Sequence, residues 1–303
     1  MTEGHDGGVT LGLGEALPGR GTHRFSHAAM ATVFEVHCVH PDARYAAQAA
    51  QAAFDLVDRL EQELSRFVGN SDISRINHLA AGQAARVSPS TMECLQIAWH
   101  VHGLTGGAFD VSIGSGLQRL ELDPDEFAVH AGEGGASVDL GGIGKGYAVD
   151  RMAEVLEEWE IPRALVHGGY SSVLALEPPV ERSGWALTLS APGPGDDRVL
   201  ARIAARRQAF SASGARKGDH ILDPRTGHPV YGRVAAWVAA PWEEGGSSAA
   251  VADALSTAFM IQPADEIDDL CRSFPGLEAW IVGEGTESGG SAPALAHMGA
   301  LRP

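Results

Sequence analysis

Residues 137–176, SVDLGGIGKGYAVDRMAEVLEEWEIPRALVHGGYSSVLAL, carry the reading from which the fold follows. The segment is predicted to run strand, glycine turn, helix, strand, second glycine turn, strand. Its first turn, Gly141-Gly142-Ile143-Gly144-Lys145-Gly146, follows a short apolar strand carrying Asp139. It precedes a helix whose apolar positions are Ala148, Val149, Met152, Val155 and Leu156. Glycines let a backbone approach a ligand closely, and a helix start presents unpaired N–H groups to an anion. Lys145 adds a point charge suited to phosphate. The turn is neither a GxGxxG fingerprint in its usual frame nor a P-loop. Taken alone, it is equally a tight turn in an ordinary α/β unit.

Around this segment the chain mixes strands and helices without strict alternation. Ala31–Val39 alternates as a strand does, and 42–67 carries apolar residues at helical spacing (Ala47, Ala50, Phe54, Val57, Leu60, Leu64). A helix is expected from Ser88-Pro89 to about His102, with proline at its first position. Strands are expected at Trp185–Ser190, Arg198–Ala204, Gln208–Ser213, Val234–Ala240 and Leu277–Val282, and helices at Ser247–Ile261 and Ala264–Phe274. Residues 118–136 are acidic and show no pattern. Several consecutive strands between 163 and 240 predict an α+β architecture with a largely antiparallel sheet.

With 303 residues and 44% hydrophobic content the chain can bury a sizeable core. Its net charge of −17 argues against nucleic acid or an anionic membrane surface as the main partner. Any phosphate ligand then needs local positive charge from a metal, Lys145 or backbone amides. Cys38, Cys94 and Cys271 are scattered and lack CxxC spacing, which excludes a disulfide framework or a zinc site. No run of 18 apolar residues suggests a membrane span. Residues 1–24 read as a flexible leader without a basic n-region or an apolar h-region, so a cytoplasmic location is expected. Residues 284–303 read as a low-complexity tail.

Asp253 and Thr257 lie four apart on the small-residue helix and share one face. A carboxylate and a hydroxyl stacked in this way offer hard oxygen ligands to Mg²⁺; equally, the threonine could back-bond to a carbonyl. Ala249, Ala250, Ala252, Ala254 and Ala258 leave room for something bulky to approach that helix. His220, beside an Asp-Pro turn, could serve as a general base or a phosphate ligand. There is no GxSxG elbow, HExxH or CxxC, which removes hydrolase-elbow, zincin and thioredoxin readings.

A series of motifs resembles the ApbE-type flavin transferases (FAD:protein FMN transferases) from about Met30 to Val282. In order they are Met30-Ala31-Thr32; Leu64-Ser65-Arg66-Phe67 with Ser71-Asp72-Ile73-Ser74-Arg75-Ile76-Asn77; Thr105-Gly106-Gly107-Ala108-Phe109-Asp110; and Val138 through Asp150. Ser213-Gly214 with His220-Ile221-Leu222-Asp223-Pro224-Arg225-Thr226-Gly227 follows, and then Ala252 through Ala258.

The resemblance implies a single two-lobed catalytic domain over 25–283 and Mg²⁺-dependent transfer of FMN from FAD to a Thr or Ser hydroxyl of an acceptor flavoprotein, with release of AMP. It implies that Met30, Phe67, Ala108, Phe109, Asp110, Asp139, Lys145 and Ile221 line the FAD site. Asp253, Thr257 and the Gly142 carbonyl would bind the metal, and His220, Lys145 and Asp253 would be catalytic. FAD pyrophosphatase activity and non-catalytic FAD binding are the alternatives. The sequence departs from the family at His167-Gly168-Gly169-Tyr170, where Asn or Asp before the glycines and an acidic residue after them are commoner. Gly144 stands where alanine is usual.

Overall fold

The computed structural model describes residues 11–13, 21–112, 114–133, 137–190, 198–214, 221–283 and 295–299. Its middle layer is an eight-stranded sheet of β1 (Thr22–Ala29), β2 (Thr32–Val39), β3 (Ala164–Gly168), β4 (Ser172–Ala175), β5 (Gln208–Gly214), β6 (Arg233–Pro241), β7 (Glu278–Gly283) and β8 (Leu295–Met298). The strands cross the sheet in chain order and every neighbouring pair is antiparallel. The expected α+β architecture is therefore what the chain adopts.

Two long insertions between neighbouring strands build the helical layer. The connection from β2 to β3 carries α1 (Ala43–Leu64), α2 (Asp72–Asn77), α3 (Pro89–Leu104) and α4 (Gly144–Glu158). The connection from β6 to β7 carries α5 (Ser248–Ala258) and α6 (Ala264–Ser273). Side chains alternate across a strand, and the two faces bury different partners. Phe34, Val36, Cys38, Ala164 and Val166 join the helices. Leu165, Val173 and Ala175 join Trp185, Leu187 and Leu189 of a three-stranded sheet (Leu11–Leu13, Trp185–Ser190, Val199–Ala205) on the other side.

Several boundaries differ from expectation. The leader to residue 24 contains strand: Leu11–Leu13 pairs with Trp185–Ser190, and β1 begins at Thr22. Met30 and Ala31, both left-handed at φ 49° and 56°, make the two-residue turn that folds β1 onto β2. The turn lacks the usual Asn-Gly signal, so the hairpin is not legible. The tail to 303 contains β8, where His297 stacks on Trp280 at 4.5 Å. The patternless 118–136 includes Leu120–Asp123 and Ala128–Ala131, a small sheet with Ala84–Arg86 whose strands are too short to show alternation. The stretch around Asp139 is extended but makes no ladder; the Asn77 side chain brackets Val138, accepting from its N–H at 2.6 Å and donating to its carbonyl at 2.9 Å.

On the sheet, α4 lies between α1 and α5. Helix α1 presents the stripe Ala46, Ala49, Ala53, Val57, Leu60 and Leu64, and Asp42 caps its start by accepting from Arg44 and Tyr45 N–H. Helix α5 is buried on nearly every side, which its run of alanines permits. At Gly146 the two backbones touch: a Cβ there would stand 2.2 Å from the Ala249 carbonyl oxygen and 2.8 Å from the Asp253 Cβ. Gly168 plays the same part under α4, where a Cβ would meet Val149 and Phe34.

Gly→Ala inside a helix ordinarily stabilises by about 1 kcal/mol. Gly146→Ala should do the reverse, lowering unfolding free energy by about 1–3 kcal/mol through overpacking against backbone. Urea denaturation midpoints check this, and a stabilised variant would contradict the close approach.

Candidate active site

The N-terminal half of α4 runs antiparallel to the length of α5, and their contacts fall in steps of one helical turn. Asp150 of α4 accepts from Ala249 N–H on Oδ1 and Ala250 N–H on Oδ2, both at 2.8 Å. One turn nearer the α4 start, Gly146 N–H donates to Asp253 Oδ2 at 3.0 Å. A further turn back, Gly142 faces Thr257, with a Cβ at 142 standing 3.3 Å from the Thr257 Oγ1. Positions 142, 146 and 150 thus meet 257, 253 and 249 as three rungs about 5.4 Å apart.

The first two rungs are caps supplied in trans. Neither Ile143 nor Ser247, the residues that open the two helices, caps its helix with a side chain. Each helix instead lends the other a carboxylate, an exchange worth about 0.5–2 kcal/mol per cap. Asp150 is wholly buried, and burial pushes its carboxyl up to about 8 against the pull of the two amides. Each oxygen faces a donor, so the geometry serves the ionised form. Beside it, Arg151 donates to Gly246 O at 2.8 Å and pairs with Glu93 at 3.0 Å, and the Tyr147 hydroxyl donates to the same Glu93 at 2.7 Å.

The third rung is left chemically open. Gly142 stands before Ile143, the residue that opens α4, so no N–H of the helix returns to its carbonyl, which accepts no hydrogen bond among the described residues. Asp253, 3% exposed, has no partner on Oδ1 among the described residues. The Thr257 hydroxyl donates back to Asp253 O at 3.3 Å and lies 3.2 Å from the Ser213 Oγ, which also meets the Ser256 hydroxyl at 2.8 Å. A hydroxyl oxygen so placed keeps lone pairs to give. Carboxylate, carbonyl and hydroxyl are the hard oxygen donors a small divalent cation takes, and a side chain at 142 would fill the space between them. Among the described residues no group of three or more His, Cys, Asp or Glu could hold a metal, so only mixed donors of this kind are on offer.

Lys145 joins the rungs to an open cleft. Its Nζ donates to Gly141 O at 3.2 Å and lies 4.0 Å from Asp253 Oδ2. The cleft, 450 Å³, is lined by Met30, Leu64, Arg66, Phe67, Asp139 and Lys145 among others. Phe67 is 84% exposed, with the Arg66 guanidinium 4.7 Å over its ring. Asp139 accepts from Gly141 N–H at 2.9 Å and pairs with Arg66 at 3.2 Å, so it ties the glycine turn to the end of α1.

Of the residues named from sequence, Met30, Phe67, Asp139 and Lys145 share the cleft, while Gly142, Asp253 and Thr257 meet at the rungs. Phe109, buried, packs on Gly142 with Ala108 beside it. Asp110 turns back into its own loop and accepts from the Ser112 N–H and hydroxyl. Ile221 sits on a short ribbon (Ile221–Asp223 with His228–Val230) and packs against the core, joining neither group. His220 lies outside the described residues. Arg66, Asp150 and Ser213 had no role assigned from sequence. Asp150 follows Gly146 by one turn, and that spacing was the available signal.

The divergent second glycine turn stands apart. His167 shares its side of β3 with Leu165, opposite the helices, and meets Tyr170 edge-on at 5.5 Å.

Comparison with known proteins identifies the fold and family. The model of the ApbE family matches residues 30–281. The FAD:protein FMN transferase of Klebsiella pneumoniae is 24% identical over 78% of this chain and 77% of its own. The protein of the same name from Treponema pallidum is 26% identical over 77% and 76%. The flavin transferase ApbE from Vibrio cholerae superposes with a TM-score of 0.77 at 19% identity, over 91% of this chain and 97% of its own. The apo flavinyl transferase ApbE of Pseudomonas stutzeri gives 0.77 at 22%, over 91% and 94%. With 252 consecutive positions spanned by the family model, the glycine turn and the α5 rungs included, the chain belongs to the ApbE family.

Proposed function

We propose that the chain transfers the FMN moiety of FAD to a Thr or Ser hydroxyl of an acceptor flavoprotein, releasing AMP, with Mg²⁺ held by Asp253, Thr257 and the Gly142 carbonyl. The observation that carries this reading is the third rung, whose oxygen donors stand open beside Lys145 at the edge of an aromatic-lipped cleft. The cleft's volume falls within the usual range for small-molecule sites, about 300–1,000 Å³. The names of the relatives support flavinyl transfer as the reaction class.

In this reaction the acceptor's hydroxyl oxygen bonds to the FMN-side phosphorus, the anhydride P–O bond breaks, and AMP leaves with the electron pair. When bound, Mg²⁺ offsets the negative charge that builds on the phosphate oxygens. Lys145 adds a second cation and Arg66 a third, both placed along the cleft. Phe67 offers a flat apolar face to a ring of the dinucleotide, and Asp139 holds the glycine turn in place through Gly141 N–H. His220, next in the chain to the described ribbon, is proposed to take the proton of the incoming hydroxyl.

The test incubates the protein with FAD, Mg²⁺ and a threonine-bearing acceptor flavoprotein, and follows acceptor mass and AMP together. A mass gain of one FMN with matching AMP is expected. FMN and AMP with unmodified acceptor would instead mean hydrolysis, and absence of AMP would sink the catalytic reading.

Two variants refine it. Asp253→Asn keeps an acceptor for Gly146 N–H but loses the charge, and turnover should fall by about 100-fold or more while the protein stays folded by circular dichroism. Phe67→Ala removes an exposed ring, so stability should shift by less than about 0.5 kcal/mol. Its FAD affinity, read by flavin fluorescence, should weaken by roughly 10-fold.

A further inference from the structure

We infer that Asp150 is a positioning residue for the cation site: by gripping the first two amides of α5 it sets the register that brings Asp253 and Thr257 opposite Gly142. The inference rests on the proposed metal reading. Asp150 touches neither the cleft nor the third rung; it stands two turns, about 11 Å, from the Gly142–Thr257 pair. Its influence runs through the helix it holds.

Two features make the grip directional. Both carboxylate oxygens are engaged, one on Ala249 and one on Ala250, so α5 is fixed in rotation as well as along its axis. Nothing on α5 itself replaces this hold, because Ser247 gives no side-chain cap. Arg151, the next residue of α4, holds the chain just before α5 through the Gly246 carbonyl. The approach at Gly146 leaves little slack: with Ala249 O pressed onto that glycine, a slide of α5 along α4 meets backbone, while at its first turn a rotation of α5 is opposed by the two-amide grip of Asp150. A small rotation of α5 would carry Asp253 off the Gly146 amide and Thr257 away from Gly142. The cation would then have a carboxylate and a hydroxyl out of place.

Groups that orient metal ligands typically change metal affinity by about 10–100-fold when removed. Asp150→Asn keeps the volume but turns an NH₂ toward one of the two amides. The experiment titrates Mg²⁺ calorimetrically into wild type, D150N and Leu156→Ala, a buried α4 residue beyond the last rung chosen as a stability control. We expect D150N to bind Mg²⁺ about 10–100-fold more weakly, while L156A, at a similar or larger loss of melting temperature, binds as wild type does. FAD affinity without metal should be unchanged in D150N. The inference is overturned if D150N binds Mg²⁺ like wild type, or if L156A weakens it equally. If wild type itself binds no Mg²⁺, the metal reading fails and takes this inference with it, which is a distinct result. Should D150N not fold, Asp150→Ser, a neutral single acceptor, stands in with the same expected outcomes.

Discussion

The Gly146 amide lies in the first turn of α4, where an α-helix leaves its N–H groups unpaired, and here it goes to the Asp253 carboxylate 3.0 Å away. That one hydrogen bond fixes a buried carboxylate, whose desolvation would otherwise be costly, by giving it a donor at a helix start. One turn earlier the Gly142 carbonyl, which accepts no hydrogen bond among the described residues, stands where a hydroxyl from the other helix arrives. Only glycine at 146 permits the backbone contact that makes the exchange possible, which ties the chemistry of the site to a missing methyl group.

The sheet explains why these two helices meet at all. Its eight strands follow each other in chain order, so residues distant in sequence come together only through the insertions between strands. The glycine turn and α4 return from the β2–β3 insertion to lie over β3 and β4, while α5 comes from the β6–β7 insertion and packs on β5 and β6. Adjacent strands thus deliver adjacent helices, and about a hundred residues of separation close into one contact. Apolar faces of β2, β3 and β6 anchor both helices in a single core, so the rungs are held by the most buried part of the molecule and not by a loop.

Much of this was legible in the chain. Alternation and helical spacing located six of the eight main-sheet strands and the long helices, and the i, i+4 relation of Asp253 and Thr257 put both on one face. Two kinds of feature escaped. Short strands such as Ala84–Arg86 and Leu11–Leu13 have too few residues to show a period, and the β1–β2 hairpin turns on Met30-Ala31, which carry no turn chemistry. The second kind is pairing between elements. Positions 142, 146 and 150 and positions 249, 253 and 257 each read as a one-turn series, yet nothing local says that the series face each other antiparallel. Asp150 consequently entered only as the last residue of a motif, although it is wholly buried.

Charge adds a last constraint. In a chain of net charge −17, both cleft cations are already shared with acids of the same site: Arg66 with Asp139, and Lys145 with Asp253 at the longer distance of 4.0 Å. On the proposed reading, a cation held by Asp253, Thr257 and the Gly142 carbonyl would offset the Asp253 charge and leave Lys145 to face phosphate. An anionic dinucleotide would in turn offset the charge of the cation. Each ligand thereby removes a cost the other would meet, and by linkage the two must favour one another's binding to the same extent. Of the altered second glycine turn, His167 belongs to the opposite side of the sheet from the helices that hold both charges, while Gly168 lies under α4.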